Sequence, residues 1–274
     1  MERFGLLAGL GRLPLEVAEG MKKQGYDPVI VGLQEEVDPC LEKAGFSLVK
    51  ISMGALGQIL EYFQGCGVTT LVMAGKVGKE ALFSGPKLDE DLQNLLSRLQ
   101  NKKSDAILQA VVDYFEEHGI KVETQTRFLE HLIPKPGLLT KCPLTTSEMQ
   151  DVRFGFSLAK EMGRLDIGQS VVVKNGVILA VEAMEGTDQT ILRGGTLGGE
   201  GIVAVKVAKP HQDLRFDMPT VGLSTLNALV RSKARVLAIE AGLTFFLNKE
   251  ECIVEAEKNG LSVIAVDQDS GIDK

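Results

Sequence analysis

The N-terminal third of the chain alternates short apolar runs with amphipathic stretches of helical length, and this alternation constrains the fold most strongly. Strands that alternate with helices are typical of βαβ units, in which the strands form a parallel sheet. The predicted strands are Phe4–Ala8, Pro28–Leu33, Leu48–Ile51, Thr69–Ala74 and Ile120–Glu123. The predicted helices are Leu13–Gln24, Leu56–Phe63, Lys87–Gln100 and Ser104–His118. The sequence therefore predicts an α/β domain with a parallel sheet.

The second half of the chain has a different pattern, which opens with a helix and then a hairpin. Two β-rich runs, Gln169–Lys174 and Val177–Ala183, flank Asn175-Gly176, a dipeptide that accepts positive φ at both positions of a tight turn. Further predicted strands are Ile202–Val207, Val236–Ala241, Thr244–Phe246 and Leu261–Val266. The predicted helices are Glu148–Met162, Ser224–Lys233 and Lys249–Asn259. This pattern predicts a second α/β domain, distinct from the first.

The length of 274 residues suits two domains of ordinary size. Residues 131–147 are rich in proline and show little periodicity, which is typical of a linker. We therefore predict a parallel-sheet domain over residues 1–130, a linker over 131–147 and a C-terminal α/β catalytic domain over 148–274. The crevice between two such domains is the expected ligand site.

The composition narrows the classes of partner. A formal net charge of −7 argues against a general nucleic-acid binder, because neutralising phosphates requires a surplus of Lys and Arg. The sequence predicts neither a membrane-spanning segment nor a signal-peptide cleavage site. Its four cysteines lack any CxxC or metal-ligand spacing, which is typical of reduced thiols in the cytoplasm. We therefore expect a cytoplasmic protein that binds small molecules.

Two glycine-containing turns follow predicted strands of the first domain. The first, with Gly9 and Gly11, leads into a helix N-terminus, where free backbone N–H groups can bind a phosphate. It fails as a dinucleotide fingerprint because Pro14 occupies the position of the third glycine. The second turn carries Lys76, which can pair with a phosphate. A tight turn without a ligand and a solvated lysine are the alternatives.

A polar stretch rich in carboxylates runs from Asp166 to Asp217, and we expect it to carry the chemistry. Glu182, Glu185 and Asp188 lie where the predicted hairpin ends, close enough in sequence to converge on one cation. Carboxylate oxygens suit Mg²⁺ or Mn²⁺, whereas the three histidines show no zinc-ligand spacing. The alternative is a solvated loop whose charge pairs with Arg193.

The loop that ends this stretch alternates acidic and basic residues. Asp213, Arg215 and Asp217 share one face of an extended backbone. Charges so concentrated are costly in an apolar setting unless they are paired or used, which favours a functional role. Asp217 can hold a metal or orient a water, while Arg215 and Lys209 can neutralise phosphate oxygens. The alternative is a structural salt-bridge loop at the domain interface.

Taken together, these stretches resemble the LpxI-type UDP-2,3-diacylglucosamine pyrophosphatases of lipid A biosynthesis. The resemblance rests on AGLGRLP, AGKV, GRLDIGQSVVV, NGVILAVEAMEGTD and KPHQDLRFDMPTVGLST, in that order along the chain. It implies a Rossmann-like N-terminal domain and a distinct α/β C-terminal domain. It also implies Mg²⁺-dependent hydrolysis of UDP-2,3-diacylglucosamine to UMP and 2,3-diacylglucosamine 1-phosphate. The essential carboxylate of the family's RxDxP segment is similar in position to Asp217.

The resemblance and the residue chemistry together give a candidate site. The predicted catalytic residues are Asp217, Asp213 and Arg215. The predicted substrate-binding residues are Gly9, Gly11, Lys76, Gln169, Thr187, Arg193, Lys209 and Thr225. The predicted ligands of Mg²⁺, or of Mn²⁺ in its place, are Asp217, Glu182, Glu185 and Asp188. The expected partner is a nucleotide glycolipid met in transient contact with the cytoplasmic face of the inner membrane. A nucleotide-binding oxidoreductase and a non-enzymatic nucleotide or lipid sensor are the alternatives.

Overall fold

The computed structural model divides the chain into two compact units. It describes residues 2–34, 36–77, 87–99, 104–210 and 212–267, without the side chains of Ser104 and Asp105. Unit 1 comprises Met1–Glu130 and Asp213–Asp217, and unit 2 comprises His131–Gln212 and Met218–Lys274. A short segment from the second half of the sequence therefore belongs to the first unit.

Unit 1 is built on a parallel sheet with the strand order β3-β2-β1-β4-β5. Its strands are β1 (Phe4–Ala8), β2 (Val29–Leu33), β3 (Leu48–Ile51), β4 (Thr70–Ala74) and β5 (Lys121–Val122). All four strand pairs are parallel, which confirms the predicted sheet and its Rossmann-like character. The strand order reverses between β1 and β4, and ligands of such sheets bind beyond the carboxyl ends of strands at this position.

Helices cover the strands of unit 1. They are α1 (Leu13–Lys23), α2 (Cys40–Lys43), α3 (Leu56–Gly65), α4 (Glu90–Ser97), α5 (Ser104–Glu117) and α6 (Thr126–Leu129). The short helices α2 and α6 were not predicted, and the predicted helix end at Gln100 lies outside the described residues. Phe63 of α3, Phe115 of α5 and Leu71 of β4 are fully buried in one cluster, because apolar residues at helical spacing face the sheet.

Unit 2 contains a mixed sheet with the strand order β6-β13-β11-β9-β7-β8. Its strands are β6 (Gly137–Leu138), β7 (Ser170–Lys174), β8 (Val177–Val181), β9 (Val203–Lys206), β11 (Val236–Glu240) and β13 (Ser262–Val266). Strands β9, β11 and β13 are parallel, and β6, β7 and β8 pair antiparallel to their neighbours. A separate parallel pair joins β10 (Thr220–Val221) to β12 (Phe245–Phe246).

Helices cover both faces of the unit 2 sheet. They are α7 (Thr146–Arg164), α8 (Thr187–Gly198), α9 (Leu223–Arg231) and α10 (Lys249–Lys258). Val171 and Val173 of β7 pack in the same cluster as α7, whereas Val172 packs with α8, α9 and α10. Successive side chains of a strand point to opposite faces, which explains this division. Among the described helices, none has the length and apolar character needed to cross a membrane.

The predicted hairpin is confirmed. Asn175 and Gly176 have φ angles of 51° and 75°, as both central positions of a type I′ turn require. The buried carboxylate of Asp151 in α7 accepts hydrogen bonds from the backbone N–H groups of both residues, at 2.8 and 2.7 Å. The turn is therefore fixed to α7 as well as by its own conformation.

Helix α8 was not predicted, since its sequence was interpreted as part of a polar acidic stretch. Its glycines have low helix propensity, which hides the helical pattern. A Cβ on Gly194 would lie 2.5 Å from Cγ1 of Val172, and one on Gly195 would lie 2.5 Å from Cβ of Ser232. These glycines allow α8 to approach β7 and the end of α9 more closely than any larger residue would permit.

Residues 131–147, predicted as a linker, are ordered within unit 2. A 3₁₀ turn over Glu130–Leu132 begins one residue before the segment, and strand β6 within the segment pairs with β13. The hydroxyl of Thr140 accepts a hydrogen bond from the N–H of Val263 at 3.0 Å. Low periodicity is expected for a segment that crosses a sheet edge, because few of its residues belong to any one element.

We expect Gly194→Ala to destabilise unit 2 by about 1–3 kcal/mol, because the added methyl would overlap a β-branched side chain in a buried strand. Thermal denaturation of the purified protein measures this effect. Gly65→Ala, at an exposed helical position where a Cβ meets nothing within 4 Å, is the matched control and should leave stability unchanged or slightly raised. Equal melting temperatures for wild type and Gly194→Ala would contradict the close approach.

Candidate functional site

Two turns interlock where β1 and β4 end in unit 1. The N–H of Gly9 donates to the carbonyl of Ala74 at 2.8 Å, and that of Leu10 donates to the carbonyl of Lys76 at 2.9 Å. A Cβ on Gly9 would lie 2.6 Å from the carbonyl oxygen of Lys76. Gly9 therefore serves the packing of the two turns, and its N–H group is already used by the protein.

The other predicted residues of this edge are less enclosed by the residues that the structure describes. Gly11 has a φ of 94°, and a Cβ there would meet nothing within 4 Å. Lys76 is exposed, and helix α1 begins immediately after Arg12, which makes no side-chain capping bond. A helix N-terminus and a nearby lysine favour an anion. Of the residues predicted in these two turns, Gly11 and Lys76, together with the start of α1, therefore stay candidates for contact with a phosphate.

The segment Asp213–Asp217 forms one compact turn in unit 1, held by a fork between Arg215 and Asp213. Nε of Arg215 lies 3.1 and 3.0 Å from the two carboxylate oxygens, and Nη2 lies 2.6 Å from Oδ2. Burial alone would raise the pKa of Asp213, but the hydrogen bonds and charge of Arg215 outweigh it, so this pKa is lowered. The pKa of Arg215 is raised, mainly by the same hydrogen bonds.

The position of Asp217 follows from this turn. Its N–H donates to the carbonyl of Asp213 at 2.9 Å, and Phe216 between them packs against the hydrophobic core of unit 1. The sequence prediction placed Asp213, Arg215 and Asp217 on one face of an extended backbone. That conformation is wrong, because the hydrogen bonds of the segment close a turn instead.

In unit 2 a buried polar network surrounds the side chain of Glu182, the residue that follows β8. The hydroxyl of Thr187 donates to Oε1 of Glu182 at 3.1 Å, and the N–H of Gln169 donates to Oε2 at 3.4 Å. The hydroxyls of Ser170 and Thr187 lie 3.2 Å apart. Oε1 of Gln169 is buried without a hydrogen-bond partner among the described residues. The structure therefore brings together the predicted residues Gln169, Glu182 and Thr187.

Asp188 joins the N-termini of two helices. Its carboxylate accepts hydrogen bonds from the hydroxyls of Ser224 at 2.6 Å and Thr225 at 3.0 Å, which lie in the first turn of α9, while Asp188 itself lies in the first turn of α8. The N-cap residues are Gly186 and Gly222, and neither helix has a side-chain capping bond. Asp188 thus holds side by side two helix N-termini whose N-cap residues are glycines.

The remaining predicted residues of unit 2 form two ion pairs. Arg193 of α8 bonds to Glu185, and the pKa of Glu185 is lowered, first by its own backbone N–H and then by Arg193. Nζ of Lys209 lies 2.9 Å from Oδ1 of Asp166. Asp166 has a φ of 56° at the end of α7, a left-handed conformation that aspartate tolerates better than most residues.

The predicted metal ligands of unit 2 do not form a set that fits a cation. Glu182 accepts from Thr187, Glu185 pairs with Arg193, and Asp188 accepts from two hydroxyls of α9. Within the described ranges, no group of three or more His, Cys, Asp or Glu side chains is arranged to hold a metal ion. The convergence of Glu182, Glu185 and Asp188 on one cation is therefore not supported by the geometry.

Sequence reasoning missed a buried ion pair that holds the start of the Lys209–Asp217 loop. Glu240, at the end of β11, is 4% exposed and accepts from Nζ of Lys160 at 2.9 Å. Glu240 also accepts from the N–H of Ala208 at 2.7 Å. Nζ of Lys160 donates to the carbonyl of Ala208. The sequence signal that could have revealed this ion pair is the carboxylate of Glu240 near the end of the otherwise apolar run Val236–Ala241.

The geometry of unit 2 suits a phosphate-containing ligand. The partial positive charge of a helix N-terminus attracts anions, and here α8 and α9 are linked at that end by Asp188. The hydroxyls of Thr187 and Ser224 lie at the same ends. The carboxylates of Glu182 and Asp188 already accept from the hydroxyls of Thr187, Ser224 and Thr225, so the backbone N–H groups at the starts of α8 and α9 are the donors that the described part of unit 2 offers to a phosphate.

Both halves of the chain match one family of known proteins. The model of the LpxI N-terminal domain matches residues 3–132, and the model of the LpxI C-terminal domain matches residues 135–264. The UDP-2,3-diacylglucosamine pyrophosphatase LpxI of Caulobacter vibrioides is 32% identical to the chain over 279 residues. That similarity covers 97% of this chain and 98% of the relative.

We expect Asp213→Asn to lower the unfolding free energy by about 1–2 kcal/mol at neutral pH, because the charged fork with Arg215 is weakened. The folded-state pKa of Asp213 lies below its unfolded value of about 3.9. The stability from this carboxylate is therefore present above that value and is lost as pH falls through the folded pKa.

Thermal denaturation from pH 7 to pH 2 measures the dependence. The difference between wild type and Asp213→Asn should shrink towards zero in acid, while Asp27→Asn, an exposed position of unit 1, should match wild type throughout. A difference that stays constant across this range would show that the fork contributes nothing through its charge.

Proposed function

Because the chain belongs to the LpxI family, we propose that it hydrolyses the diphosphate of UDP-2,3-diacylglucosamine to UMP and 2,3-diacylglucosamine 1-phosphate. The observation that carries the proposal is the paired start of α8 and α9, linked through Asp188 to Ser224 and Thr225. Two adjacent helix N-termini can receive a diphosphate, since each phosphate can accept hydrogen bonds from the N–H groups of one helix.

Polar groups near this edge support the assignment of substrate-binding residues. Thr187 and Thr225 lie in the first turns of α8 and α9, where backbone N–H groups can donate to a phosphate. The buried amide oxygen of Gln169, which has no partner in the described residues, can accept a hydrogen bond from a hydroxyl or N–H group of the substrate. Lys209 and Arg193 already pair with carboxylates, so we propose that they neutralise phosphate charge by sharing or exchanging those partners. In unit 1, Gly11 and Lys76 are the proposed contacts.

Asp217 is the proposed catalytic carboxylate. Its segment belongs to unit 1, and the hydrogen bond from its N–H to the Asp213 carbonyl fixes its backbone. A carboxylate held in this way can orient a water or accept its proton, which are the tasks that hydrolysis of an anhydride requires. Asp213 and Arg215 support it through the turn that their hydrogen bonds close.

We propose that the reaction depends on Mg²⁺, with Mn²⁺ as a substitute. Mg²⁺ is commonly held by one or two carboxylates together with substrate phosphates, so Asp217 and the diphosphate oxygens are a sufficient donor set. A bound divalent cation supplies charge neutralisation on the phosphate oxygens and a more acidic water. Glu182, Glu185 and Asp188 are left out of this set, because in the described residues they do not form a group arranged to hold a metal ion.

The substrate class also sets where the protein works. A diacylated glycolipid resides in a bilayer, whereas the described helices include none that can span one. We therefore propose transient contact of a cytoplasmic protein with the inner membrane, maintained by the substrate rather than by an anchor.

The test is release of UMP from UDP-2,3-diacylglucosamine by purified wild type, Asp217→Asn and Asp217→Ala, with Mg²⁺ or with EDTA. We expect both substitutions to lower kcat by at least about 100-fold, because the general-base or cation-holding role of the carboxylate is lost. Wild type in EDTA should be similarly inactive and should recover with added Mg²⁺.

Glu185→Gln is the matched control for the cation, since its partner is Arg193. Its Mg²⁺ concentration dependence should equal that of wild type, and a clear shift would return Glu185 to the ligand set. Wild-type turnover that persists in EDTA would refute the metal dependence. Tight binding of the glycolipid without any UMP release would favour a sensor, and nicotinamide-dependent hydride transfer would favour an oxidoreductase.

A further inference from the structure

The guanidinium group of Arg215 has protein partners on all three nitrogens. Nε and Nη2 bond to the carboxylate of Asp213, Nη2 also lies 3.2 Å from Oε1 of Gln109, and Nη1 lies 3.2 Å from Oε1 of Glu116. The side chain is 24% exposed. An arginine so engaged has few N–H groups left for a phosphate.

Helix α5 presents a matching surface to this arginine. Gln109 and Glu116 are seven residues apart, two helical turns, and therefore lie on the same side of α5. The amide nitrogen of Gln109 donates to Asp113 at 2.7 Å, which leaves its oxygen to face Arg215. Glu116 also accepts a 3.4 Å hydrogen bond from the N–H of Val122 in β5. The two acceptors are thus oriented before they meet Arg215.

The local charge is unsuited to phosphate. Arg215 contributes one positive charge, and its partners Asp213 and Glu116 contribute two negative charges, so the group carries a net charge of −1. A phosphate that took the place of either carboxylate would leave that carboxylate beside another negative charge. This negative charge favours the ion pairs of Arg215 with Asp213 and Glu116 over the binding of a substrate phosphate by Arg215.

The same contacts reach Asp217 through the backbone. The backbone N–H of Arg215 donates to Oδ1 of Asp213 at 2.9 Å. The backbone carbonyl of Asp213 accepts from the backbone N–H of Asp217. Phe216 packs on the core of unit 1 between them. Any loosening of Arg215 from α5 therefore moves the residue that the proposed reaction requires.

We propose that Arg215 is a positioning residue, and that Gln109 and Glu116 of α5 hold through it the segment that carries Asp217. The sequence had assigned Arg215 to the phosphates, and the geometry assigns it to helix α5 instead. This inference rests on the proposed function, because it assigns to Gln109 and Glu116 a role in the chemistry of Asp217.

The experiment compares wild type, Arg215→Ala, Glu116→Ala and the double variant Gln109→Ala/Glu116→Ala. UMP release gives kcat and KM, and hydrogen exchange followed by mass spectrometry reports the amides of Asp213–Asp217. We expect kcat to fall about 10-fold to 100-fold with KM within about twofold, since misplacing a reacting group slows the chemical step without weakening binding. Exchange in the segment should accelerate about tenfold.

Controls separate positioning from general damage. Glu117→Ala, exposed on α5, should behave as wild type, and Glu116→Gln, which keeps an acceptor for Nη1, should retain most of kcat. Glu116→Ala removes an exposed side chain and so tests the anchor even if Arg215→Ala does not fold. Exchange over α10 should be the same in all folded variants.

Three outcomes would overturn the proposal. A raised KM with unchanged kcat in Arg215→Ala would show that the guanidinium binds substrate. Faster exchange with unchanged kcat would show that the anchor has only a structural role. Unchanged exchange in the double variant would show that α5 does not hold the segment. If wild type itself releases no UMP, the proposed function fails, and the exchange data alone still decide whether Gln109 and Glu116 anchor the segment.

Discussion

Parallel pairing of strands is the constraint on which the sheet of unit 1 and the central strands β9, β11 and β13 of unit 2 depend. A parallel strand returns to its neighbour through a crossover, so helices cover both faces of the sheet and the strands read as continuous apolar runs. All five residues of β1, β4 and β11 are buried accordingly. Polar groups are then concentrated where parallel strands end, and most residues of the candidate site follow the carboxyl end of a strand or begin the next helix.

Polar residues at such an edge need partners before any of them can serve a ligand. Glu240 is buried and accepts from Lys160 and from the N–H of Ala208, which fixes the chain as it leaves β9. Lys206, also buried, donates to the carbonyl of Thr220 and ties β9 to the start of β10. Leaving one such group unpaired in the interior costs several kcal/mol, so these contacts set the path of the loops. The proposed site is built on loops that are already fixed.

Local patterns in the sequence predicted much of the fold, because local physics determines those parts. The hairpin at Asn175-Gly176 needs positive φ at two adjacent positions, and the strands of unit 1 need continuous apolar runs. Helix α8 was missed because close packing of Gly194 against Val172 replaces helix propensity as its source of stability. Packing partners distant in sequence do not leave a local pattern.

Prediction from local sequence patterns is limited in the same way, and to a greater extent, for the candidate site. Sequence reasoning selected Arg215 correctly as a residue whose charge must be paired or used, but its partners Gln109 and Glu116 lie 106 and 99 residues away. Gly9 was selected as a phosphate-binding glycine, and its contact with Lys76 gives it a packing role. A motif identifies which residues are unusual, whereas the role of each depends on which atoms the fold brings to it.

The number of carboxylates in the second half of the chain suggests a metal site, but the contacts of these carboxylates do not support one. Asp188 accepts from two hydroxyls and thereby aligns α8 with α9, and Glu182 orients Thr187 at the same helix end. Each acidic group thus orients hydroxyls at a helix start, and the N-termini of α8 and α9 are the features of this region that favour an anion. A diphosphate brings its own oxygen ligands, so a protein that binds one needs few carboxylates for a cation and many donors for the phosphates. In unit 2 the contacts of Asp188 accordingly serve to align two helix N-termini, and they do not form a set of metal ligands.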